Sequence, residues 1–307
     1  MVSKSKVYET IIIGAGIAGL TAAIYASRKR MNYLILSEDF GGQINISGEI
    51  ENYPGFAKTN WVEFGKRFQE QIKYNNIKIN YESIKNITKS KNVFEVRTNK
   101  TIYKTHTVIL CSGARARELN VSGEKRLLGK GLTYCAICDG PLFKNKTVAV
   151  IGGGDSAMEA VDFLKDIVKK IYIITINPEL RGHEYLIEQV KKTKNAQLIT
   201  NATTKEIMGN KSVVAIKYGQ DNKVKQLNVQ GIFVEIGRIP NTELVVRFVK
   251  LDKDRHVIVN KFSETNVPGF FAAGDCTDLH AYQFIIAAGQ GCTALLRAVN
   301  YLHQLKE

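Results

Sequence analysis

The sequence predicts an α/β fold built twice around a nucleotide-type βαβ unit. Three observations carry this. Residues 10–13 form a short β-rich run that enters Gly14-Ala15-Gly16-Ile17-Ala18-Gly19, a G-x-G-x-x-G pattern. A helical stretch at 20–30 and a strand at 33–36 follow, which is the context the pattern needs. Residues 147–151 repeat the design and open into Gly152-Gly153-Gly154-Asp155-Ser156-Ala157, the G-x-G-x-x-A variant. Such glycines permit a tight turn and a close approach of backbone to a pyrophosphate, which the following helix N-terminus then faces. Two fingerprints imply two dinucleotide sites, or a duplicated fold with one site silent.

Between the fingerprints lies Thr133-Tyr134-Cys135-Ala136-Ile137-Cys138-Asp139-Gly140-Pro141. Cysteines at this spacing can close a small disulfide ring or hold half of a metal site. Reactive pairs often carry one thiol of lowered pKa, and Asp139 stands where a proton donor or acceptor would serve it. A zinc site needs further ligands. There is no second Cys-x-x-Cys, and the five histidines His106, His183, His256, His280 and His303 read as isolated, so no metal is expected. The other cysteines, Cys111, Cys276 and Cys292, sit in or beside apolar segments and read as buried small hydrophobes. An odd, sparse set of five argues against a secreted disulfide framework.

The 307 residues suggest about two domains, and an apolar fraction of 44% supplies a sizeable core. No apolar run reaches the roughly 18 residues of a membrane helix, so a soluble, cytoplasmic protein with no membrane partner is expected. The net charge of +14 comes from scattered basic residues without aromatic interleaving. That is a solvated lysine-rich surface, with no nucleic-acid partner expected.

The rest of the chain fits this frame. Segments 41–43 and 51–55 are turn-rich loops, and 61–72 is an amphipathic helix. Residues 94–98 alternate as a strand, and 107–111 form a buried strand ending at Ser112-Gly113-Ala114. The second βαβ unit continues with a helix at 156–168 and a strand at 171–175. Residues 203–208, 213–218 and 223–229 read as a β meander. Residues 231–236 are a buried strand closed by Gly237-Arg238-Ile239-Pro240-Asn241. A strand at 270–275 ends in Gly274-Asp275, which can set a carboxylate beside a ribityl or ribose hydroxyl. A long helix at 284–305 is expected to bury Ile285, Ile286, Leu295, Leu296, Val299 and Leu302.

Taken in order, Gly14-Ala15-Gly16, Gly41-Gly42-Gln43, Glu51-Asn52-Tyr53-Pro54-Gly55, Cys135-Ala136-Ile137-Cys138-Asp139-Gly140, Gly152-Gly153-Gly154-Asp155-Ser156-Ala157 and Ala272-Ala273-Gly274-Asp275 resemble the low-molecular-weight thioredoxin reductases. The resemblance covers nearly the whole chain. It implies two Rossmann-like, three-layer domains, the second inserted in the first. A discontinuous FAD-binding domain would take 1–115 plus 246–307, and 116–245 would bind a nicotinamide nucleotide and carry the redox-active disulfide. Family members are homodimers whose domains rotate between two arrangements.

The resemblance also implies a relay from nicotinamide to FAD, then to a Cys135–Cys138 disulfide, then to thioredoxin or a thioredoxin-like protein. Cys138 would be the flavin-proximal sulfur, Cys135 the attacking thiol and Asp139 the proton carrier. FAD contacts would come from Gly14, Ala15, Gly16, Gly19, Ser37, Glu38, Gly41, Gly42, Gln43, Asn52, Ile84, Gly113, Gly274, Asp275, Gln283 and Phe284. Nicotinamide-nucleotide contacts would come from Gly152, Gly154, Asp155, Ser156, Ala157, Arg181 and Arg238.

Two departures stand out. NADPH-dependent members carry a His-Arg-Arg run after the second unit's strand, with a further Arg beyond it. Here Thr175-Ile176-Asn177-Pro178-Glu179-Leu180-Arg181 retains only Arg181. The departure points to NADH, to weak use of NADH or NADPH, or to a different donor. Tyr282 replaces the usual Arg before Gln283. Two other readings compete with a thioredoxin-type reductase. One is the flavoprotein arm of a peroxide-reducing system, although such arms often carry an extra N-terminal redox domain that this sequence does not show. The other is a non-catalytic binding module.

Overall fold

The computed structural model describes residues 7–46 and 49–305. The chain divides into two compact units. The first falls within Met1–Ser47, Tyr53–Arg115 and Ile239–Glu307, the second within Gly48–Asn52 and Ala116–Arg238.

The first unit begins with β1 (Val7–Ile13), α1 (Ile17–Arg28) and β2 (Tyr33–Ser37). α2 (Trp61–Tyr74) follows, capped by Asn60, whose side chain accepts from the amides of Val62 and Glu63. It buries Phe64, Phe68 and Ile72, a 4-residue repeat on one face. β3 (Ile79–Tyr81), β4 (Ile84–Ser90), β5 (Val93–Thr98) and β6 (Ile102–Leu110) complete this stretch. β3, β2, β1 and β6 lie side by side and parallel. The first half of β6 also pairs antiparallel with β5, which hairpins to β4. Ile11, Ile12, Ile35, Val108, Ile109 and Leu110 are fully buried. Near-continuous apolar runs are what a sheet covered on both faces requires.

The second unit opens with β7 (Leu132–Thr133) and the short helix α3 (Ala136–Asp139). Next come β8 (Thr147–Ile151), α4 (Asp155–Leu164), β9 (Lys170–Ile174), α5 (Glu184–Lys192) and β10 (Ala196–Ile199). An antiparallel meander, β11 (Thr203–Met208), β12 (Ala215–Gln220) and β13 (Lys223–Asn228), leads to β14 (Gly231–Val234). The parallel sheet has the order β7-β14-β8-β9-β10. Its strand order reverses beside β8, so the crevice at the carboxyl ends of β8 and β14 is the switch point where such sheets take ligands.

The chain returns to the first unit with β15 (Phe270–Ala272), parallel to the second half of β6, and with α6 (Phe284–Gln304). Among the described residues no helix is long and apolar enough to cross a membrane.

α6 corrects one expectation. Ile285 is 45% exposed and Leu296 39% exposed, and Ile286 and Val299 are only partly buried. The face turned inward is Ala287, Ala288, Gly291, Ala294, Leu295, Ala298 and Leu302. Its neighbour α1 buries a matching set of small residues, including Ala18, Ala22 and Ala23. The helices approach so closely that a Cβ on Gly291 would lie 2.1 Å from the Ala18 carbonyl oxygen. Small side chains win that face because large ones would hold the two backbones apart. Among the three further cysteines, Cys111 and Cys276 are buried as expected, while Cys292 is only partly buried.

Gly291→Ala tests the close approach by the sign of its effect. In an ordinary helix interior the change stabilises by about 1 kcal/mol. Here overpacking is expected to destabilise by about 1–3 kcal/mol in urea unfolding. A stabilised variant would contradict the packing.

Candidate functional site

Cys135 and Cys138 are joined in a disulfide, with Cα atoms 5.3 Å apart. Both are partly buried. Cys135 is the N-cap of α3 and Cys138 lies within it, and Cys135 Sγ accepts a hydrogen bond from the Cys138 amide at 3.2 Å. An amide aimed at sulfur stabilises a thiolate there once the bond is reduced. Thr133 ties the turn together. Its hydroxyl accepts from the Cys135 amide at 3.2 Å and donates to Asp139 Oδ2. The acid is thereby held beside the cysteine pair.

Glu235 is the functional residue that the sequence reading missed. It directly follows β14, at the carboxyl end of a parallel strand. Its Oε1 accepts from the Ala136 amide, the peptide next to Cys135, at 3.3 Å. Its own carbonyl oxygen would lie 2.2 Å from a Cβ on Gly152, the first residue of the second glycine loop. One residue therefore touches the disulfide turn through its side chain and the nucleotide-type loop through its backbone. Burial raises its carboxyl to about 7, and Glu159 adds to this, against the opposing Ala136 amide and Arg238 guanidinium. A carboxyl poised there can hold or release a proton near neutral pH, as dithiol chemistry demands. Its signal was an acid ending an otherwise apolar strand.

The second glycine loop is shaped by its neighbours. A Cβ on Gly153 would meet Thr175 Oγ1 at 2.4 Å, so Thr175 is packed under the loop and buried. Gly154 caps α4 without a side-chain hydrogen bond. Asp155 Oδ1 accepts from the His183 amide at 2.8 Å, and the Arg181 amide donates to the Gly153 carbonyl at 2.8 Å. The expected residue Arg181 is thus seated against the fingerprint, with an exposed side chain. Arg238 Nη2 donates to the Tyr134 carbonyl at 3.4 Å, next to Cys135. Gly152 and Ala157 are buried, and Ser156 is exposed in the first turn of α4.

The first glycine loop has the same construction. A Cβ on Gly14, whose φ is 104°, would meet the Cys111 carbonyl oxygen at 2.3 Å, just past the end of β6. The Ala15 amide donates to Ser37 Oγ at 3.1 Å, so the buried serine at the end of β2 supports the turn. The Gly41 amide donates to the Ala15 carbonyl at 2.8 Å, and a Cβ on Gly42 would approach Gly16 Cα at 3.4 Å. Gln43 donates to the Ala114 carbonyl at 3.0 Å, beside Gly113. Gly16 caps α1 with no side-chain hydrogen bond. The structure therefore brings Gly14, Ala15, Gly16, Gly19, Ser37, Gly41, Gly42, Gln43 and Gly113 to one place. A narrow cradle of backbone over an uncapped helix start fits a dinucleotide pyrophosphate.

The remaining expected residues lie around it or apart. Glu38 is exposed and accepts from the Ser83 hydroxyl, and Ile84 is partly buried against the core of the unit. The Gly274 amide donates to Gln290 Oε1 at 2.8 Å, which ties the loop holding Asp275 to α6. Gln283 is the N-cap of α6, again with no side-chain cap. Phe284 stacks on Phe64 with ring centroids 5.9 Å apart. Asn52 groups with the second unit. The histidines need a correction, because they are not all isolated. His256 and His280 meet in the first unit with ring centroids 4.2 Å apart.

Comparison with known proteins agrees with this geometry. The chain belongs to the pyridine nucleotide-disulphide oxidoreductase family, which it matches over residues 8–291. It is similar to the thioredoxin reductase of Streptococcus pyogenes MGAS5005, with a TM-score of 0.91 and 31% identity, covering 97% of this chain and 99% of that one. Among curated sequences, a Bacillus subtilis (strain 168) protein named NADH dehydrogenase is 40% identical over 96% of this chain and 58% of its own length. One component of the alkyl hydroperoxide reductase of Escherichia coli (strain K12) is 37% identical over 99% of this chain and 60% of its own length. The chain thus spans less than two thirds of these curated relatives. Its family uses FAD and a nicotinamide nucleotide.

Glu235 gives a pH signature. Its folded-state carboxyl near 7 lies above the ordinary 4.5. The folded chain therefore binds more protons than the unfolded chain between those values, and stability falls as pH rises through that window. Glu235→Gln is expected to be more stable than the native chain at about pH 8, by up to about 3 kcal/mol. The gap should close below about pH 4.5. Urea unfolding across this range checks it, and a pH-independent gap would contradict the assignment.

Proposed function

We propose that this chain passes reducing equivalents from a reduced nicotinamide nucleotide through FAD and the Cys135–Cys138 disulfide to thioredoxin or a thioredoxin-like protein. The observation that carries this reading is the disulfide itself, placed in the unit with the second glycine fingerprint and braced by Glu235 beneath that loop. The similarity to solved thioredoxin reductases supports it.

In this reading the first unit holds FAD through the Gly14–Gly19 loop, Ser37, the Gly41–Gln43 turn and Asp275. The second holds the nicotinamide nucleotide at the Gly152–Ala157 loop, with Arg181 and Arg238 at its edge. FAD supplies the two-electron step between hydride donor and disulfide. Opening the disulfide takes up two electrons and one proton, which leaves one thiol and one thiolate. Asp139, held by Thr133, delivers a proton at the pair, and the Cys138 amide favours the thiolate on Cys135. That thiolate attacks the acceptor's disulfide, forms a mixed disulfide, and is released when Cys138 closes the ring again. A cytoplasmic homodimer is part of this reading.

A second acceptor has specific support. The curated relatives include components of alkyl hydroperoxide reductases, so a peroxiredoxin-linked dithiol is the alternative partner. The B. subtilis relative's name supports NADH as donor. So does the loop after β9, where Arg181 is the sole arginine and Glu179 would repel a 2′-phosphate.

Cys138→Ser is expected to keep bound flavin and to lose reduction of protein disulfides entirely. Full-rate thioredoxin reduction by this variant would sink the relay. Side-by-side kinetics with NADH and NADPH, each with thioredoxin and with a peroxiredoxin-linked acceptor, are expected to favour NADH. A preference for NADPH of about tenfold or more, the effect of roughly 1.4 kcal/mol, would overturn the donor assignment.

A further inference from the structure

We propose that Asp252, His256 and His280 form a binding site in the first unit for a divalent transition-metal cation of the zinc class. His280 Nε2 lies 3.0 Å from Asp252 Oδ2, and His256 Nδ1 lies 3.6 Å from the same oxygen. The three ligand atoms all fall within 4.8 Å of one another. Zinc binds imidazole nitrogen and carboxylate oxygen at about 2.0–2.2 Å, so neighbouring ligands of a tetrahedral ion stand about 3.4 Å apart. The two measured separations bracket that spacing.

The second observation is His256 itself. Its side chain is 2% exposed, yet Nδ1 has no hydrogen-bond partner among the described residues. The other ring nitrogen, Nε2, lies 2.9 Å from Tyr282 Oη. With the proton on Nε2 and donated to that oxygen, Nδ1 turns a lone pair toward a carboxylate oxygen. A buried acceptor facing a partly buried carboxylate oxygen is costly, and a cation between them resolves the conflict. The bond from Nε2 to Tyr282 is also the outer contact that metal-bound histidines normally make. It gives a role to Tyr282, the residue that departs from the reductase pattern.

The carboxylate is prepared in the same way. Asp252 Oδ1 accepts from the amides of His256 at 2.8 Å and Asp254 at 2.9 Å, which leaves Oδ2 aimed at the two rings. Burial opposes ionisation of Asp252, but those amides and the histidines outweigh it, and its pKa is lowered. Burial, then the neighbouring His280, lower that of His256 against the pull of Asp252 and Asp254.

The backbone preassembles the cluster. The Val257 amide donates to the Cys276 carbonyl and the Asp278 amide to the Val257 carbonyl, at 2.8 and 3.1 Å. These bonds fix the Asp252–His256 turn against the loop that carries His280 and Tyr282. His280 is 44% exposed, so an ion can enter from solvent and keep water at the fourth position.

The test uses the flavin-loaded protein, stripped with chelator and titrated with Co2+ and Zn2+. One equivalent of Co2+ per chain is expected, with the visible d–d bands of a four-coordinate ion, displaced by Zn2+. His280→Ala removes an exposed ligand. It is expected to weaken binding by more than about 100-fold, beyond the loss of an outer-shell partner. Asp252→Asn should do the same, while Tyr282→Phe should weaken binding by about tenfold. The proposal is overturned if the native chain gives no such bands, or if His280→Ala binds Co2+ as the native chain does.

Discussion

The structure depends on a single packing contact made twice. At the end of the first strand of each βαβ unit, a glycine lies directly against a carbonyl at the end of the neighbouring parallel strand. In the first unit Gly14 meets Cys111, and in the second Gly152 meets Glu235, with 2.3 Å and 2.2 Å left for a Cβ. No side chain fits there. The contact pulls the loop down between two strand ends and leaves the next helix start uncapped over it. A phosphate-binding cradle follows from that steric fact together with the orientation of the helix amides. The third fingerprint position follows the local space. In the first unit a Cβ on Gly19 would strike the Gly14 carbonyl at 1.9 Å, whereas the second unit accommodates Ala157.

In the second unit the same contact does more. The carbonyl that supports Gly152 belongs to Glu235, whose carboxylate holds the peptide beside Cys135. One residue therefore contacts both the loop and the disulfide turn. Burial raises the Glu235 carboxyl to about 7, with Glu159 raising it further and Arg238 opposing. A disulfide on this turn is thus braced by the element that shapes the nucleotide-type loop.

Much of this was legible in the sequence because the deciding forces are local. The strand at 147–151, the start of α6 and the first strand of the meander follow from apolar runs and turn residues. Both fingerprints stand where their glycines indicate. Four features were not legible, each for a non-local reason. The inward face of α6 follows its small residues rather than its hydropathy, because α1 presses against it. The cysteine spacing allowed a metal half-site as well as a ring, and only the fold chooses the disulfide. His256 and His280 are separated by a strand and a turn, so their meeting with Asp252 depends on the pairing of Val257 with the loop after β15. Glu235 was not singled out within the run 231–236, because its partners Ala136 and Gly152 are distant in sequence.

The most direct measurement is an anaerobic reductive titration of the flavin-loaded protein with NADH, counting electrons and newly exposed thiols. The account predicts two electron pairs taken up per chain, one by the flavin and one by the disulfide, with Cys135 and Cys138 becoming alkylatable. Uptake of a single pair, with no new thiols while the flavin is fully bleached, would contradict it.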